Sequence, residues 1–352
     1  MDIEKLRKEI NKIDDQILKS LNKRANISIG IGKNKKKQGI VPYIPARERD
    51  VINSLIRKNK GPLSAEAIKN IYREIMSVSV NLQKKLTIAY LGPAATYTHE
   101  AATKKFGSSI DYKPFISARE IFSAVERGNT EFGVVPVENS TEGIETHTLD
   151  MFIESDLKIC DEILLPISHF LLSKSKKEKI KKVYSKDQAL AQCGIWLQKN
   201  LPSVQLIEVY STAHAATLAV KEKTSAAIAS QLASRLYNLP IVGKHIEDLS
   251  VNVTRFLVIG KQSSKPTGND KVSLMFSLKD KVGALYDSLT PFYKNKINLT
   301  KIESRPSKRK IWEYYFFVDL EGHQDEKRIK QAIEELKPLC TFLKVLGSYP
   351  RG

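Results

Sequence analysis

Apolar residues at Ile3, Leu6, Ile10, Ile13, Ile17 and Leu21 recur at steps of three and four, the spacing that lines one face of an α-helix. The stripe commits the opening of the chain to a long amphipathic helix, reaching the lysine run ahead of Gly39 and Pro42. A second helix is expected near Ala46, behind Pro45. A third follows "GPLS", where Ser64 can cap a helical run from Ala65 to about Lys84. Residues 1–85 therefore read as all-helical.

At "LTIAYLGP" the period changes. A short β-type run ends in Gly92 and Pro93, and strand-like and helix-like stretches then alternate through "FGVVPVENS", "AHAATLAVKEK" and "SAAIAS", the texture of an α/β domain. A polar linker, "GKQSSKPTGND", separates this block, residues 86–262, from a third at 270–352. There "KVSLMFSL", a helix from Gly283, "INLTKIES", "WEYYFFVDL", a helix from Asp325 and "TFLKVLGSY" give the order βαββαβ.

At 352 residues and 41% hydrophobic content the chain can bury two or three cores. No apolar run approaches bilayer length, and the opening "MDIEKLRKEI" lacks the apolar core of a signal peptide, so a cytoplasmic protein without membrane association is expected. Cys160, Cys193 and Cys340 are far apart and odd in number, against a disulfide framework. The six histidines make no metal-ligand pair on a helix face, so no metal or other cofactor is expected, and each histidine reads as surface or structural. Of the net charge of +18, +11 falls in residues 1–85, where 20 lysines and arginines face 9 acidic residues. That segment carries no RNA-binding fingerprint, zinc-finger spacing or interleaved aromatics, so no nucleic-acid partner is expected.

The stretch "VNVTRFLVIG" is a strand whose apolar run is broken by Asn252, Thr254 and Arg255. Together with "VPVENSTEG", "GAL" at 283–285 and "ESRP" at 303–306, it carries a resemblance. Over nearly its whole length the chain resembles the bifunctional chorismate mutase/prephenate dehydratases of phenylalanine biosynthesis, with an ACT domain at the end. The resemblance implies an all-α mutase domain (1–85), a two-lobed α/β dehydratase domain of periplasmic-binding-protein type (86–262), and an α+β, ferredoxin-like ACT domain (270–352).

Rearrangement of chorismate to prephenate moves no proton, so the enzyme has to hold one conformer and stabilise charge on the ether oxygen. Similarity to the family assigns Arg7 and Arg24 to the carboxylates, Lys35 and Gln83 to the ether oxygen, Arg47 with Glu48 to the remaining carboxylate and hydroxyl, and Ser79 to the lining. Ile44 stands where the family usually has an acidic residue. Arg7 and Arg24 are 17 residues apart, about 25 Å along one helix, too far to grip one small dianion. Lys35, in contrast, returns to within about 20° of Arg24's face. A homodimer or higher homo-oligomer is expected, with Arg7 reaching into the partner's site.

Dehydration of prephenate to phenylpyruvate requires a proton donor for the departing hydroxyl, a polar grip on the pyruvyl group and a dry setting for the carboxylate that is lost. Thr254 is the candidate acid, directly or through a relay. Arg255 is expected to organise the site or bind a carboxylate, beside Phe256. Asn139, Ser140 and Thr141 sit at an expected strand tip, where α/β folds bind ligands, and Gln192, Ser211, Thr212 and Thr96 complete the implied prephenate contacts. Ala95 replaces the family's usual glycine.

For the ACT domain the resemblance implies L-phenylalanine as effector, at Gly283, Ala284, Leu285, Asn298, Leu299, Glu303, Ser304, Arg305 and Pro306. Two other readings remain open: a dehydratase whose helical segment only dimerises it, and a non-catalytic amino-acid-binding module.

Overall fold

A computed structural model describes residues 2–38, 43–249, 251–307 and 313–352. The expected helix end at Gly39 and Pro42 and the start of the expected strand at Trp312 lie outside the described residues. The chain divides into two units, one formed by residues up to 87 with 105–111, the other by 88–104 with 112–352.

The first unit is built on three helices, α1 (Ile3–Lys37), α2 (Pro45–Lys58) and α3 (Ala65–Gln83). Each start has a local cause. The Asp2 carboxylate accepts from the Glu4 N–H, Pro45 opens α2, and the Ser64 hydroxyl accepts from the Ala67 N–H, supplying partners or preset φ where helical N–H groups lack them. Arg24 reaches Ile75 and Ser79 while Gly32 lies against Gln83, so α1 and α3 run parallel. A Cβ on Gly32 would stand 2.8 Å from the Gln83 Cα, and glycine alone permits this approach. At 35 residues, α1 is about 52 Å long, yet every residue from Asp2 to Lys23 is exposed.

The second unit opens with β1 (Thr87–Leu91), α4 (Tyr97–Phe106), β2 (Asp111–Phe115), α5 (Ala118–Glu126), β3 (Phe132–Asn139), β4 (Gly143–Ile144), α6 (Thr146–Glu154) and β5 (Lys158–Pro166). The chain then crosses to a second lobe: β6 (Phe170–Leu172), β7 (Lys182–Ser185), α7 (Asp187–Gln192), α8 (Gly194–Asn200), β8 (Gln205–Glu208), α9 (Thr212–Lys221), β9 (Ser225–Ala229), α10 (Gln231–Leu236) and β10 (Ile241–Gly243). It returns through β11 (Val253–Gly260), which inserts antiparallel between β3 and β5. The sheets run β2-β1-β3-β11-β5, with β4 on β3, and β10-β6-β9-β7-β8. The return strand thus ends its crossing beside the tip of β3.

The C-terminal module is β12 (Asp270–Leu278), α11 (Ala284–Lys294), β13 (Leu299–Pro306), β14 (Tyr314–Glu321), α12 (Lys327–Leu336) and β15 (Cys340–Pro350), in sheet order β13-β14-β12-β15. Both faces of β12 are buried. Val272, Leu274 and Phe276 pack with Phe292, Ile329 and Leu336 of the two helices. Met275, between them in sequence, shares a core with Val135, Val137, Leu257 and Ile259 of the first lobe, joined by Tyr315, Phe317 and Leu346. A Cβ on Gly347 would stand 2.3 Å from the Ile159 carbonyl oxygen, which shows how closely β15 lies on β5. The module is therefore welded to the first lobe, although the polar linker suggests a separate body. Among the described residues no helix is long and apolar enough to cross a membrane.

Candidate active and effector sites

A cleft of about 510 Å³ opens between the two lobes, lined by Thr96, Asn139, Gln192, Ser211, Thr212, Asn252, Thr254 and Phe256 among others. Its polarity is fixed from the backbone outwards. The Thr141 and Glu142 N–H groups donate to the Asn139 Oδ1 at 2.9 and 3.0 Å. Since a backbone N–H can only donate, the Asn139 amide is oriented, and its Nδ2 donates to Asn252 Oδ1 and to Thr254 Oγ1, both at 2.7 Å. Thr254 thus accepts from an amide and keeps its own proton to give, and accepting one bond strengthens the other.

Gln192 is oriented in the same way. Its Nε2 donates to the Glu142 carboxylate at 2.9 Å and to Thr141 Oγ1 at 3.1 Å, leaving Oε1 to accept from Asn252 Nδ2 at 3.0 Å. The same oxygen meets His169 Nε2 at 2.8 Å, and His169 Nδ1 meets the Tyr97 hydroxyl at 2.8 Å. Burial lowers the His169 pKa despite the Gln192 bond and nearby Glu247, and the Tyr97 hydroxyl beside its Nδ1 donates to the Ser168 carbonyl at 2.9 Å.

The expected residues do not all face the cleft. Ser140 is turned to the β11 backbone, its hydroxyl accepting from the Val253 N–H at 3.0 Å. The Thr141 hydroxyl donates to Asn139 Oδ1 at 2.6 Å and accepts from Gln192 Nε2 at 3.1 Å. Ser211 caps α9 by accepting from the His214 N–H, and Thr96 donates to the Leu91 carbonyl at 2.8 Å, so both line the cleft with hydroxyls already engaged. For Arg255, the carboxylate-binding alternative is the one the geometry opposes. Adjacent residues on a strand point to opposite faces, and with Thr254 in the cleft the guanidinium lies behind it, bonded to Glu162, Asp319 and Tyr349. Ala95 has φ +70°, a left-handed backbone in which glycine carries no side-chain cost. Asn252 and His169, absent from the expected set, belong to the network. Asn252 was legible, two residues before Thr254 and hence on its face; His169, expected to be surface or structural, had no such signal.

In the helical unit, Arg24 bonds Ser79, which donates to the Ile75 carbonyl at 2.7 Å. Lys35 lies one turn beyond Gly32, half-buried, and burial lowers its pKa. Near it on α3 the Gln83 Oε1 is buried with no hydrogen-bond partner among the described residues. Arg24, Lys35, Ser79 and Gln83 thus share the α1–α3 seam, whereas Glu48 lines a small hollow with Tyr43 and Met76, Arg47 is exposed, and Arg7 stands on the uncovered half of α1.

The expected effector residues fall into two groups. Gly283, at φ +77°, starts α11 ahead of Ala284 and Leu285. On β13 a bulge between Leu299 and Lys301 leaves Leu299 against the helix-side core, whereas Glu303 and Arg305 pair with Phe317 and Tyr315 of the first-lobe core; Ser304 and Pro306 are exposed, as is Asn298 ahead of the strand. Arg305 pairs with Asp150 of α6 at 3.2 Å, so the geometry gives it a partner in the first lobe.

Residues 6–84 match the family model for chorismate mutase type II, 88–264 that for prephenate dehydratase, and 272–338 that for the ACT domain. A bifunctional chorismate mutase/prephenate dehydratase from Aquifex aeolicus is 52% identical over 100% of this chain and 98% of its own. The chain belongs to the bifunctional chorismate mutase/prephenate dehydratase family. It is an enzyme with both domains. Among solved structures, prephenate dehydratase in complex with L-Phe from Arthrobacter aurescens matches 76% of the chain and 90% of that chain, with TM-score 0.71 and 30% identity. A structure described as GqqA, a novel type of quorum quenching acylase, matches 76% and 98% at TM-score 0.69 and 25% identity. The shared fold therefore does not name the reaction; the full-length identity does.

Proposed function

We propose that this member of the bifunctional chorismate mutase/prephenate dehydratase family converts chorismate to prephenate on the α1–α3 seam and prephenate to phenylpyruvate in the cleft, with Thr254 as the proton donor. The observation that carries the reading is the Thr254 hydroxyl, which accepts from an amide oriented by backbone N–H groups and has its proton left for the cleft. Asn252, whose Nδ2 donates once, to Gln192, faces the pyruvyl end from a polar wall that Asn139 and Gln192 hold in place, and Phe256 keeps water from the floor. Lys35 and Gln83 serve the ether oxygen. The lowered Lys35 pKa and the unpartnered Gln83 oxygen accord with a seam built to face a polar ligand; a half-turn of the Gln83 amide puts its NH2 there.

A second copy of the chain covers α1 in this reading. Ile3, Ile10, Ile13 and Ile17 are each at least half exposed along a helix half that no described residue covers, an apolar stripe that a symmetric dimer would bury. It also brings the partner's Arg7 towards Arg24. L-phenylalanine is the proposed effector, held by the N–H groups at the start of α11 and by Asn298 and Leu299 at the helix-side start of β13. The proposed setting is the cytoplasm, which suits three free cysteines.

Complementation tests the two-site reading. Lys35→Ala and Thr254→Val variants, each alone, should make little phenylpyruvate from chorismate, and an equal mixture should make it through released prephenate. A single variant that runs the whole conversion at the wild-type rate refutes the assignment of its residue.

A further inference from the structure

Back to back with the cleft, on the other face of β3 and β11, lies an ion cluster that the reaction chemistry does not use. The register pairs Thr254 with Asn139 and Arg255 with Glu138, so the first pair faces the cleft and the second faces the C-terminal sheet. Arg255 spends all three nitrogens there. Its Nε donates to Glu162 at 2.8 Å, one terminal nitrogen to Asp319 on β14 at 2.6 Å, and the other to the Tyr349 hydroxyl on β15 at 2.8 Å. Lys301 on β13 donates to Glu138 at 2.8 Å, and Lys271 on β12 pairs with Glu162 at 2.9 Å. Three cations thus meet three carboxylates, and every strand of the C-terminal sheet contributes. Burial opposes the Arg255 charge, but Tyr349, Asp319 and Glu162 outweigh it and raise its pKa.

A buried pair of this kind adds little net stability over apolar packing, whereas directional bonds fix geometry. We infer that Arg255 is a positioning residue, held by the C-terminal sheet so that this module sets the place of Thr254 through the Arg255 and Lys301 bonds. The inference rests on the dehydratase reading. A shift of β11 by a fraction of an ångström changes the Thr254–Asn139 bond although the Arg255 and Lys301 bonds themselves lie outside the cleft. Lys301 follows the β13 bulge that leaves Leu299 on the helix side and itself faces Glu138, so a shift of β13 passes to the same bonds.

The test uses the full-length protein with Tyr349→Phe, Lys301→Met and the double variant, measured well below each unfolding midpoint. The expected result is a dehydratase kcat lowered about tenfold or more in the double variant, with the KM for prephenate within about threefold. Lys301→Arg should restore most of the loss attributed to Lys301. A lower unfolding midpoint with wild-type kcat makes the cluster a structural tie and overturns the inference, as does a loss confined to KM. Tyr349→Phe keeps the ring and removes one hydroxyl, so it stays measurable if the double variant does not fold. A wild-type protein that fails to dehydrate prephenate refutes the functional reading instead.

Discussion

Replacing Thr254 by valine keeps the β-branched shape and removes one hydroxyl. The structure predicts two separable effects. Loss of a positioned general acid lowers turnover by about 100-fold to 10,000-fold, and the lower bound corresponds to about 2.7 kcal/mol of barrier. The other effect falls on stability: Asn139 keeps its bond to Asn252 but loses the acceptor for its second N–H. Leaving such a donor unpaired costs about 1–3 kcal/mol when dry, and the open cleft puts the cost near the lower end. The fold therefore survives. The assay is phenylpyruvate formation from prephenate, with chorismate consumption followed on the same sample. Dehydration should fall at least about 100-fold and mutase turnover should hold, while Thr254→Ser, which retains the hydroxyl, should recover to within about tenfold of wild type. Undiminished dehydration by the valine variant removes Thr254 from the chemistry.

Other outcomes follow from particular contacts. Lys35→Ala should lower mutase turnover by several orders of magnitude with dehydration intact, because the charge it meets exists only in the transition state; steady-state assays with each substrate decide it. Gly32→Ala gains about 1 kcal/mol of helix propensity, but its methyl meets the Gln83 backbone at 2.8 Å, and overpacking costs about 1–3 kcal/mol, so thermal unfolding and mutase assays should both show a loss. His169 has a lowered pKa from burial. Below about pH 6.5 the unfolded chain therefore takes up a proton that the folded protein refuses, and stability falls with falling pH until the folded pKa is reached. His169→Gln should flatten that part of the unfolding-versus-pH curve, and an unchanged slope contradicts it. Gly283→Ala places a methyl on a left-handed residue with open space around it, so calorimetry should show weaker phenylalanine binding with the catalytic cleft intact.

What the sequence disclosed depended on whether one face or two were buried. The α1 stripe and the βαββαβ order were legible because periodicity reports directly on them. The strand at Thr254 was legible as a strand, but Thr254 and Arg255 are neighbours, so one cleft cannot hold both side chains. Which of them faced it depended on what lay behind β11. That is the C-terminal sheet, reached through a linker whose composition suggests independence. The same alternation divides "ESRP" between two faces of β13. Asn252 shares Thr254's parity and could have been read. His169 and Tyr97 are brought to Gln192 by the crossing between lobes, which no local pattern records. The shared core also means that a chain ending at Gln262 would expose Val135, Val137, Leu257 and Ile259, so effector binding is best tested in the whole protein.

The central claim is that one chain carries both steps. Purified full-length protein supplied with chorismate alone, with prephenate and phenylpyruvate followed together, tests it most directly. The account predicts prephenate appearing first and phenylpyruvate after it, without any added cofactor. Prephenate that accumulates and is never dehydrated, or chorismate that is never consumed, contradicts it.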